Sequence, residues 1–182
     1  MKTKSILKVV LFLILSISVT SLNAQRHKRH HTPKRHYPHY KYKKMPHWGY
    51  SYKVAPTHAY VVPHSGVRYH YHSGIFYRQR GPKYVIVRAP LGVRVRALPA
   101  GNIRFVAGGR TFFYYYGTYY VRSHNNEYIT VAPPLGARID ALPDGYIKVY
   151  IDNRTYYEFE GTLYKAVVDE YGDVWFEVVK ER

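Results

Sequence analysis

Cysteine is absent from all 182 residues of the chain. Its absence excludes disulfide bonds, thiolate metal sites and cysteine nucleophiles together. Long apolar runs are also missing: the run from Val9 to about Val19 is shorter than the roughly 20 residues that span a bilayer as a helix. We therefore expect no transmembrane segment in the mature chain.

The first 24 residues have the order of a secretory signal peptide. Three lysines precede the apolar run, and small or polar residues follow it up to Ala24. We predict a signal peptide over residues 1–24, with cleavage near Ala24. The mature protein is then expected outside the cytoplasm, in the periplasm, on the outer-membrane surface or in the extracellular medium.

Acidic side chains are absent before Glu127, although the chain has 11 Asp and Glu. Most of the 28 Lys and Arg lie in that acid-free part, which makes the N-terminal half basic and the C-terminal end acidic. Opposite charges attract weakly at a protein surface and are screened by salt. We expect weak, salt-sensitive self-association in which the N-terminal arm contacts the hairpin that carries Glu158 and Glu160.

Residues 25–65 contain eight His, nine Lys or Arg and five Pro, but few aliphatic side chains. Such a segment buries too little apolar surface to offset a backbone entropy cost of about 1 to 2 kcal/mol per residue. We predict a disordered basic leader over residues 25–65. Its cations should bind anionic polysaccharide or lipopolysaccharide in a salt-dependent manner, and export argues against a specific nucleic-acid partner.

The rest of the chain repeats itself with a period of 44 residues. The segment YVIVRAPLGVRVRALPAGNIRF from Tyr84 matches YITVAPPLGARIDALPDGYIKV from Tyr128. RTFFYYYGTYYV from Arg110 likewise matches RTYYEFEGTLYK from Arg154, and VRYHYHSGIFYR from Val67 is a partial earlier copy. Repetition over this many positions indicates duplicated supersecondary units.

Each unit has the signature of short β-strands. Apolar and polar residues alternate in GVRVRAL and GARIDAL, and Gly and Pro separate segments rich in Tyr, Phe, Val, Ile and Thr. We predict an all-β fold of short antiparallel strands, with a first β-repeat region at 66–132 and a second at 133–182. Small SH3-like barrels and open bent sheets are both compatible with this pattern.

Five tyrosines surround Gly117 in the segment FYYYGTYYV. Two strands joined at Gly117, with aromatic side chains on both faces, account for this composition. We interpret the cluster as structural. A flat platform for a ligand or glycan and a redox cluster are the alternatives.

The leader, the segment YHYHSGIFYR, the corners APLGVRVRALPAG and APPLGARIDALPDG, and the Tyr-rich hairpins occur in a fixed order. In this order they resemble a family of exported bacterial proteins known only as a domain of unknown function. The resemblance covers most of residues 65–182. It implies a location in the envelope or exterior of Gram-negative bacteria, and it implies no activity and no catalytic residue.

Sequence patterns of common hydrolases are missing. The chain has no HExxH, and no serine lies in a Gly-x-Ser-x-Gly setting. The candidate carboxylates lie at alternating or turn positions typical of solvated faces, and they are Asp140, Asp144, Asp152, Glu158 and Glu160. We predict a non-enzymatic protein without catalytic residues or a cofactor.

Histidines give the alternative prediction of a periplasmic metal-binding protein. His70 and His72 alternate along a predicted strand, a spacing at which two imidazoles can chelate Zn, Cu or Ni. The leader adds further candidate ligands, among them His30 and His31. Two imidazoles without a third fixed ligand form a weak site. The favoured prediction is therefore an envelope-associated binding or structural module whose basic arm contacts anionic surface components.

Overall fold

The structure is a computed structural model that describes residue 38 and residues 41–180. This part of the chain contains 15 strands in three antiparallel sheets and no helix. Accordingly, no helix there is long and apolar enough to cross a membrane. The prediction of an all-β fold is confirmed.

Each sheet contains five strands that follow one another in sequence. The first sheet consists of β1 Ser51–Tyr52, β2 Tyr60–His64, β3 Val67–His72, β4 Ile75–Arg80 and β5 Lys83–Val87. The second consists of β6 Arg94–Val95, β7 Ile103–Ala107, β8 Arg110–Tyr115, β9 Thr118–Arg122 and β10 Tyr128–Val131. The third consists of β11 Arg138–Ile139, β12 Ile147–Ile151, β13 Arg154–Phe159, β14 Thr162–Val168 and β15 Val174–Val179.

All three sheets have the same topology. The last four strands form a meander, and the short first strand pairs with the fifth strand, so the spatial order is 1-5-4-3-2 in every sheet. The first and second strands of each sheet lie at opposite edges and do not pair with each other. Of the two arrangements left open by the sequence, the structure has open sheets rather than closed SH3-like barrels.

Backbone hydrogen bonds show that the three sheets are equivalent repeats. Before the short first strand, a glycine donates its N–H to the carbonyl of the fifth strand in each repeat. The three bonds are Gly49 to Ile86 at 3.0 Å, Gly92 to Thr130 at 2.8 Å, and Gly136 to Val178 at 2.9 Å. Residues 41–180 therefore form three complete repeats, where the sequence predicted two regions and a partial copy.

The predicted disordered leader over residues 25–65 overlaps the first repeat. Strands β1 and β2 lie inside it, and Tyr42 is buried. The prediction is wrong for these residues. Strand β2 is ordered by pairing with β3, in which Val62 pairs with Tyr69 and Tyr60 with Tyr71, and not by apolar residues of the leader itself. Residues 25–37, with His30 and His31, lie outside the described residues.

The turn between the third and fourth strands of each repeat requires positive φ at two successive residues. These turns are Ser73-Gly74, Tyr116-Gly117 and Glu160-Gly161, with φ between 44° and 86°. The two-residue turn with both φ positive matches the right-handed twist of a hairpin. Tyr116 is an unfavourable residue there, but its N–H donates to the Tyr42 hydroxyl at 3.2 Å and its own hydroxyl donates to the Pro46 carbonyl.

Strand pairing places side chains of each sheet on two faces. We define the front face of each sheet by four positions on its second, third and fourth strands that are equivalent in all three sheets. In the first sheet these positions are Val62, Tyr69, Tyr71 and Phe76; in the second Phe105, Phe112, Tyr114 and Tyr119; in the third Val149, Tyr156, Glu158 and Leu163. The opposite face is the rear face.

The hydrophobic core lies between successive sheets. One cluster joins the front face of the first sheet to Val93, Val95 and Tyr120 on the rear face of the second. A larger cluster joins Tyr114 and Tyr119 on the front face of the second sheet to the rear face of the third. Each repeat thus buries its apolar surface against the next one, as expected for an array in which a single open sheet has no core of its own.

Residues 41–48 cover the rear face of the first sheet. Tyr42, Met45 and Trp48 belong to the same larger cluster as Ile86 and Tyr77 of this face. Tyr42 and Trp48 also contact the Tyr116 ring of the second repeat, and Trp48 contacts Phe159 of the third. The segment therefore covers the rear-face positions of β4 and β5 and leaves Tyr52 of β1 43 % exposed.

Candidate anion-binding surface

Four cations lie at one end of the first sheet. Arg68 is the second residue of β3, Arg78 and Arg80 lie in the last three residues of β4, and Lys83 begins β5, so the antiparallel order of these strands places them at the same sheet end. The register places Arg78, Arg80 and Lys83 on the front face and Arg68 on the rear face. All four side chains are exposed, and Arg80 lies directly opposite Lys83 across the hairpin. We call these four residues the first-sheet basic patch.

A cleft of about 480 Å³ opens within this patch. The pairing of β3 with β4 stops at Tyr69 and Arg78, and the cleft lies just beyond that point. Its walls combine cations with hydrogen-bonding and aromatic groups, and the lining residues are Gly66, Val67, Arg68, His70, Arg78, Gln79 and Tyr84. Guanidinium groups around an open cleft suit a multivalent anion such as phosphate, sulfate or carboxylate.

Acidic groups of the third repeat pair with cations from earlier parts of the chain. Three such pairs are Lys41 with Asp140 at 3.0 Å, His47 with Asp144 at 3.5 Å, and Arg88 with Glu160. Within the third repeat, Glu177 lies 2.8 Å from both Arg138 and Lys165. Neighbouring positive charge, led by the Lys165 hydrogen bond, lowers the pKa of Glu177. The predicted charge asymmetry is therefore partly compensated inside the molecule.

The first-sheet basic patch has no such compensation. None of the ion pairs among the described residues involves Arg68, Arg78, Arg80 or Lys83. Because no acidic residue precedes Glu127, the first repeat supplies no carboxylate of its own. The patch is therefore a cationic surface available to an external anion.

The two candidate metal ligands of the first sheet lie on its rear face. His70 and His72 alternate along β3, and the His70 ring packs edge-on against Tyr84 with 4.9 Å between ring centroids. Within residues 41–180 no group of three or more His, Asp or Glu side chains is placed to hold a metal ion. The described residues therefore bring a third ligand to neither histidine.

The tyrosines around Gly117 lie in the core. Tyr114, Tyr119 and Tyr120 are completely or almost completely buried, and the Tyr119 and Tyr164 hydroxyls form a hydrogen bond of 3.2 Å. Burial raises the pKa of Tyr164 to about 12 and raises that of Tyr114, Tyr119 and Tyr120 well above 10. Rings buried between sheets cannot form a flat ligand platform, so the cluster is structural.

A second crevice, of about 270 Å³, lies where the repeats meet. It is lined by the buried Tyr119 and Tyr164, by Trp48, and by the Arg88–Glu160 ion pair. Both charges at this crevice already have a partner. The crevice therefore offers less to a charged ligand than the cleft of the first sheet.

Sequence reasoning placed anion binding in the leader and did not identify the first-sheet basic patch. The signal was present in the segment YRQRGPKY, where four cationic or amide side chains surround a Gly-Pro turn. Two of its arginines alternate along one strand, and the lysine follows the turn. The pairing of β3 with β4 places Arg68 at the same sheet end as these residues, and the sequence alone does not specify that pairing.

A family model described as "Family of unknown function (DUF6515)" matches residues 21–182. The match includes all three sheets and the basic segment that precedes them. No curated protein matches the chain, and no solved structure matches it.

Proposed function

Since the chain belongs to the DUF6515 family, whose description assigns no function, we propose that it is a non-enzymatic, exported protein of the cell envelope that binds anionic surface components. Lipopolysaccharide and acidic polysaccharide are the proposed ligands. The basic arm at residues 25–37 and the first-sheet basic patch are the proposed contact sites. The unpaired cations of that patch are the observation that carries the proposal.

Electrostatics supports a polyanion over a small neutral ligand. Cations that lack protein partners attract counter-ions, and a polyanion that displaces those counter-ions gains affinity in a salt-dependent way. Arginine is suited to this role because its planar guanidinium can form two parallel hydrogen bonds with one phosphate, sulfate or carboxylate group. Three of the four residues in the patch are arginines.

The position of the carboxylates supports a non-enzymatic role. Asp140, Asp144 and Glu160 lie in ion pairs with Lys41, His47 and Arg88, as described above. Glu158 accepts a hydrogen bond from the N–H of Gly161 at 2.5 Å. A general acid or base needs a carboxyl group free to exchange protons with a substrate, and each of these four groups has a partner within the protein.

Replacing the patch cations by glutamine tests this proposal. We expect the variant Arg68→Gln, Arg78→Gln, Arg80→Gln, Lys83→Gln to bind lipopolysaccharide vesicles and heparin at least about tenfold more weakly in 0.1 M NaCl. The slope of log K against log salt should become shallower by about one unit per lost contact. Binding is measured by titration over a salt series, with far-UV circular dichroism to verify the fold.

The matched control removes the same charge elsewhere. Arg104, Arg110, Lys148 and Arg154 are exposed and belong to none of the ion pairs among the described residues. Their replacement by glutamine should weaken binding much less. If both variants lost the same affinity, net charge alone would explain the binding, and the proposal of a specific binding surface would be contradicted. Deletion of residues 25–37 alone measures the contribution of the arm, and leaves Tyr42 and the first repeat intact.

A further inference from the structure

The front face of the third sheet is not covered by another sheet. Its residues Val149, Tyr156 and Leu163 are half-buried, and Ile147 at its edge is 56 % exposed. None of these four side chains belongs to either hydrophobic cluster of the described residues. The equivalent positions of the first and second sheets belong to these clusters, apart from Phe112, which is buried outside them.

The two internal interfaces show what such a front face binds. On the first sheet it covers Val93 and Val95, and on the second it covers Ala137 and Ile139, all with at most 1 % exposure. In each case the front face packs against the short first strand of the next repeat and the residue before that strand.

One hydrogen bond recurs at both interfaces. The Tyr71 hydroxyl donates to the Ala97 carbonyl at 3.2 Å, and the Tyr114 hydroxyl donates to the Ala141 carbonyl at 2.9 Å. Tyr71 and Tyr114 occupy equivalent front-face positions, and Ala97 and Ala141 follow equivalent first strands. The interface is thus repeated in its polar contact as well as in its packing.

The first repeat also has a short first strand, but its side chains are exposed because no sheet precedes it among the described residues. The register of β1 with β5 makes Tyr50 equivalent to Val93, Tyr52 equivalent to Val95, and Val54 equivalent to Ala97. Tyr50 is 57 %, Tyr52 43 % and Val54 75 % exposed. We call these three residues the leading edge. Within residues 41–180, the array therefore carries a front face at one end and a leading edge at the other that no described residue covers.

We propose that the front face of the third sheet binds the leading edge of a second copy of this chain. The contact continues the order of the two internal interfaces from one molecule to the next. It is heterologous, so each bound copy presents a new front face and the association is open-ended.

Glu158 weakens this contact. It occupies the position of Tyr71 and Tyr114, and an ionised carboxylate cannot donate the hydrogen bond that those hydroxyls give to a carbonyl. Burying a carboxylate between two apolar surfaces is also unfavourable unless it is paired. The natural chain therefore associates weakly. A tyrosine at this position should give the third front face the same hydrogen-bond donor that the first and second front faces use.

Sedimentation velocity over a concentration series tests the proposal with Glu158→Tyr. We expect this variant to self-associate at least tenfold more tightly than the natural chain and to form species larger than a dimer. Combining it with Tyr50→Ser, Tyr52→Ser and Val54→Ser should restore a monomer. Glu170→Tyr adds one tyrosine at another exposed position of the third repeat and should leave the natural association unchanged.

Mixing tests the direction of the contact. A copy with the three leading-edge serines and Glu158→Tyr keeps only its front face, and a copy with Leu163→Lys keeps only its leading edge. Each should be monomeric alone, and the mixture should give a one-to-one heterodimer and nothing larger. A monomeric Glu158→Tyr variant would overturn the proposal, as would association that survives loss of the leading edge or follows equally from Glu170→Tyr.

Discussion

Raising the pH from 9 to 12 should unfold the protein cooperatively. Burial raises the pKa of Tyr116 and Tyr164 to about 12, and it raises that of Tyr114, Tyr119 and Tyr120 well above 10. An unfolded tyrosine has a pKa of about 10. Since the neutral form is favoured in the folded state, the stabilisation is complete below pH 10 and is lost as the pH rises through the folded-state values.

The magnitude is large relative to the stability of a domain. A difference of about two pKa units corresponds to about 2.7 kcal/mol for one tyrosine, and domains are stable by only about 5 to 15 kcal/mol. The loss from several buried tyrosines together is therefore comparable with the stability of the whole domain, and we expect unfolding between pH 10 and 12.

Absorbance of tyrosinate near 295 nm, recorded with far-UV circular dichroism, measures this transition. Exposed tyrosines should ionise near pH 10, and the buried ones should ionise only as the β-sheet signal disappears. If all 22 tyrosines ionised together near pH 10 without loss of that signal, the buried position of the cluster would be contradicted.

Alanine at Gly117 should destabilise the protein far more than alanine at Gly161. Both glycines occupy the same position of equivalent turns, with φ of 79° and 76°. A Cβ at Gly117 would lie 2.7 Å from Trp48, 2.8 Å from Phe159 and 3.2 Å from Pro143, whereas a Cβ at Gly161 has no neighbour within 4 Å. The two substitutions share the cost of positive φ and differ in the contacts with Trp48 and with the third repeat.

Magnitudes follow from these two contributions. Positive φ costs an alanine about 1 to 2 kcal/mol, which is the expected loss for Gly161→Ala. Overpacking adds about 1 to 3 kcal/mol, so Gly117→Ala should lose about 2 to 5 kcal/mol of unfolding free energy. Urea denaturation of both variants measures the difference. Equal losses would show that the turn of the second sheet does not pack against the third repeat.

The second and third repeats could be largely predicted from the sequence. The 44-residue period, the strand alternation and the Gly117 turn all correspond to strands and turns in the structure. These features are local: a turn residue with positive φ and a strand with period 2 leave the same signal wherever they occur. Pairing of the strands into open sheets, and burial between sheets, depend on distant residues and left no comparable signal.

The first repeat was not recognised as complete because its equivalent positions hold different residues. Tyr50 and Tyr52 replace Val93 and Val95, and His58 adopts a positive φ of 67° where Gly101 has 82°. A histidine with positive φ is uncommon, so the turn does not resemble its two counterparts in sequence. Strand β2, which follows this turn, is stabilised by its pairing with β3 and not by its own amino-acid composition.

The sequence predicts that the candidate site is positively charged, but it does not predict where on the fold the site lies. A count of charge along the chain identifies a basic N-terminal half, but cations at Lys41, His47 and Arg88 are used by acidic groups of the third repeat. Only the fold separates these paired cations from the unpaired ones at Arg68 and Arg78. Sequence alone therefore indicates an anionic ligand and does not identify its surface.

Hydrogen exchange of the segment at residues 49–64 tests most directly the claim that the protein is an array of three equivalent repeats. The Gly49 amide is bonded to the Ile86 carbonyl, and β2 pairs with β3 over five residues. Mass spectrometry should therefore find this segment protected by at least about two orders of magnitude relative to an unstructured peptide, as for residues 92–107 and 136–151. Exchange of residues 49–64 at the unstructured rate, with the other two segments protected, would contradict the account.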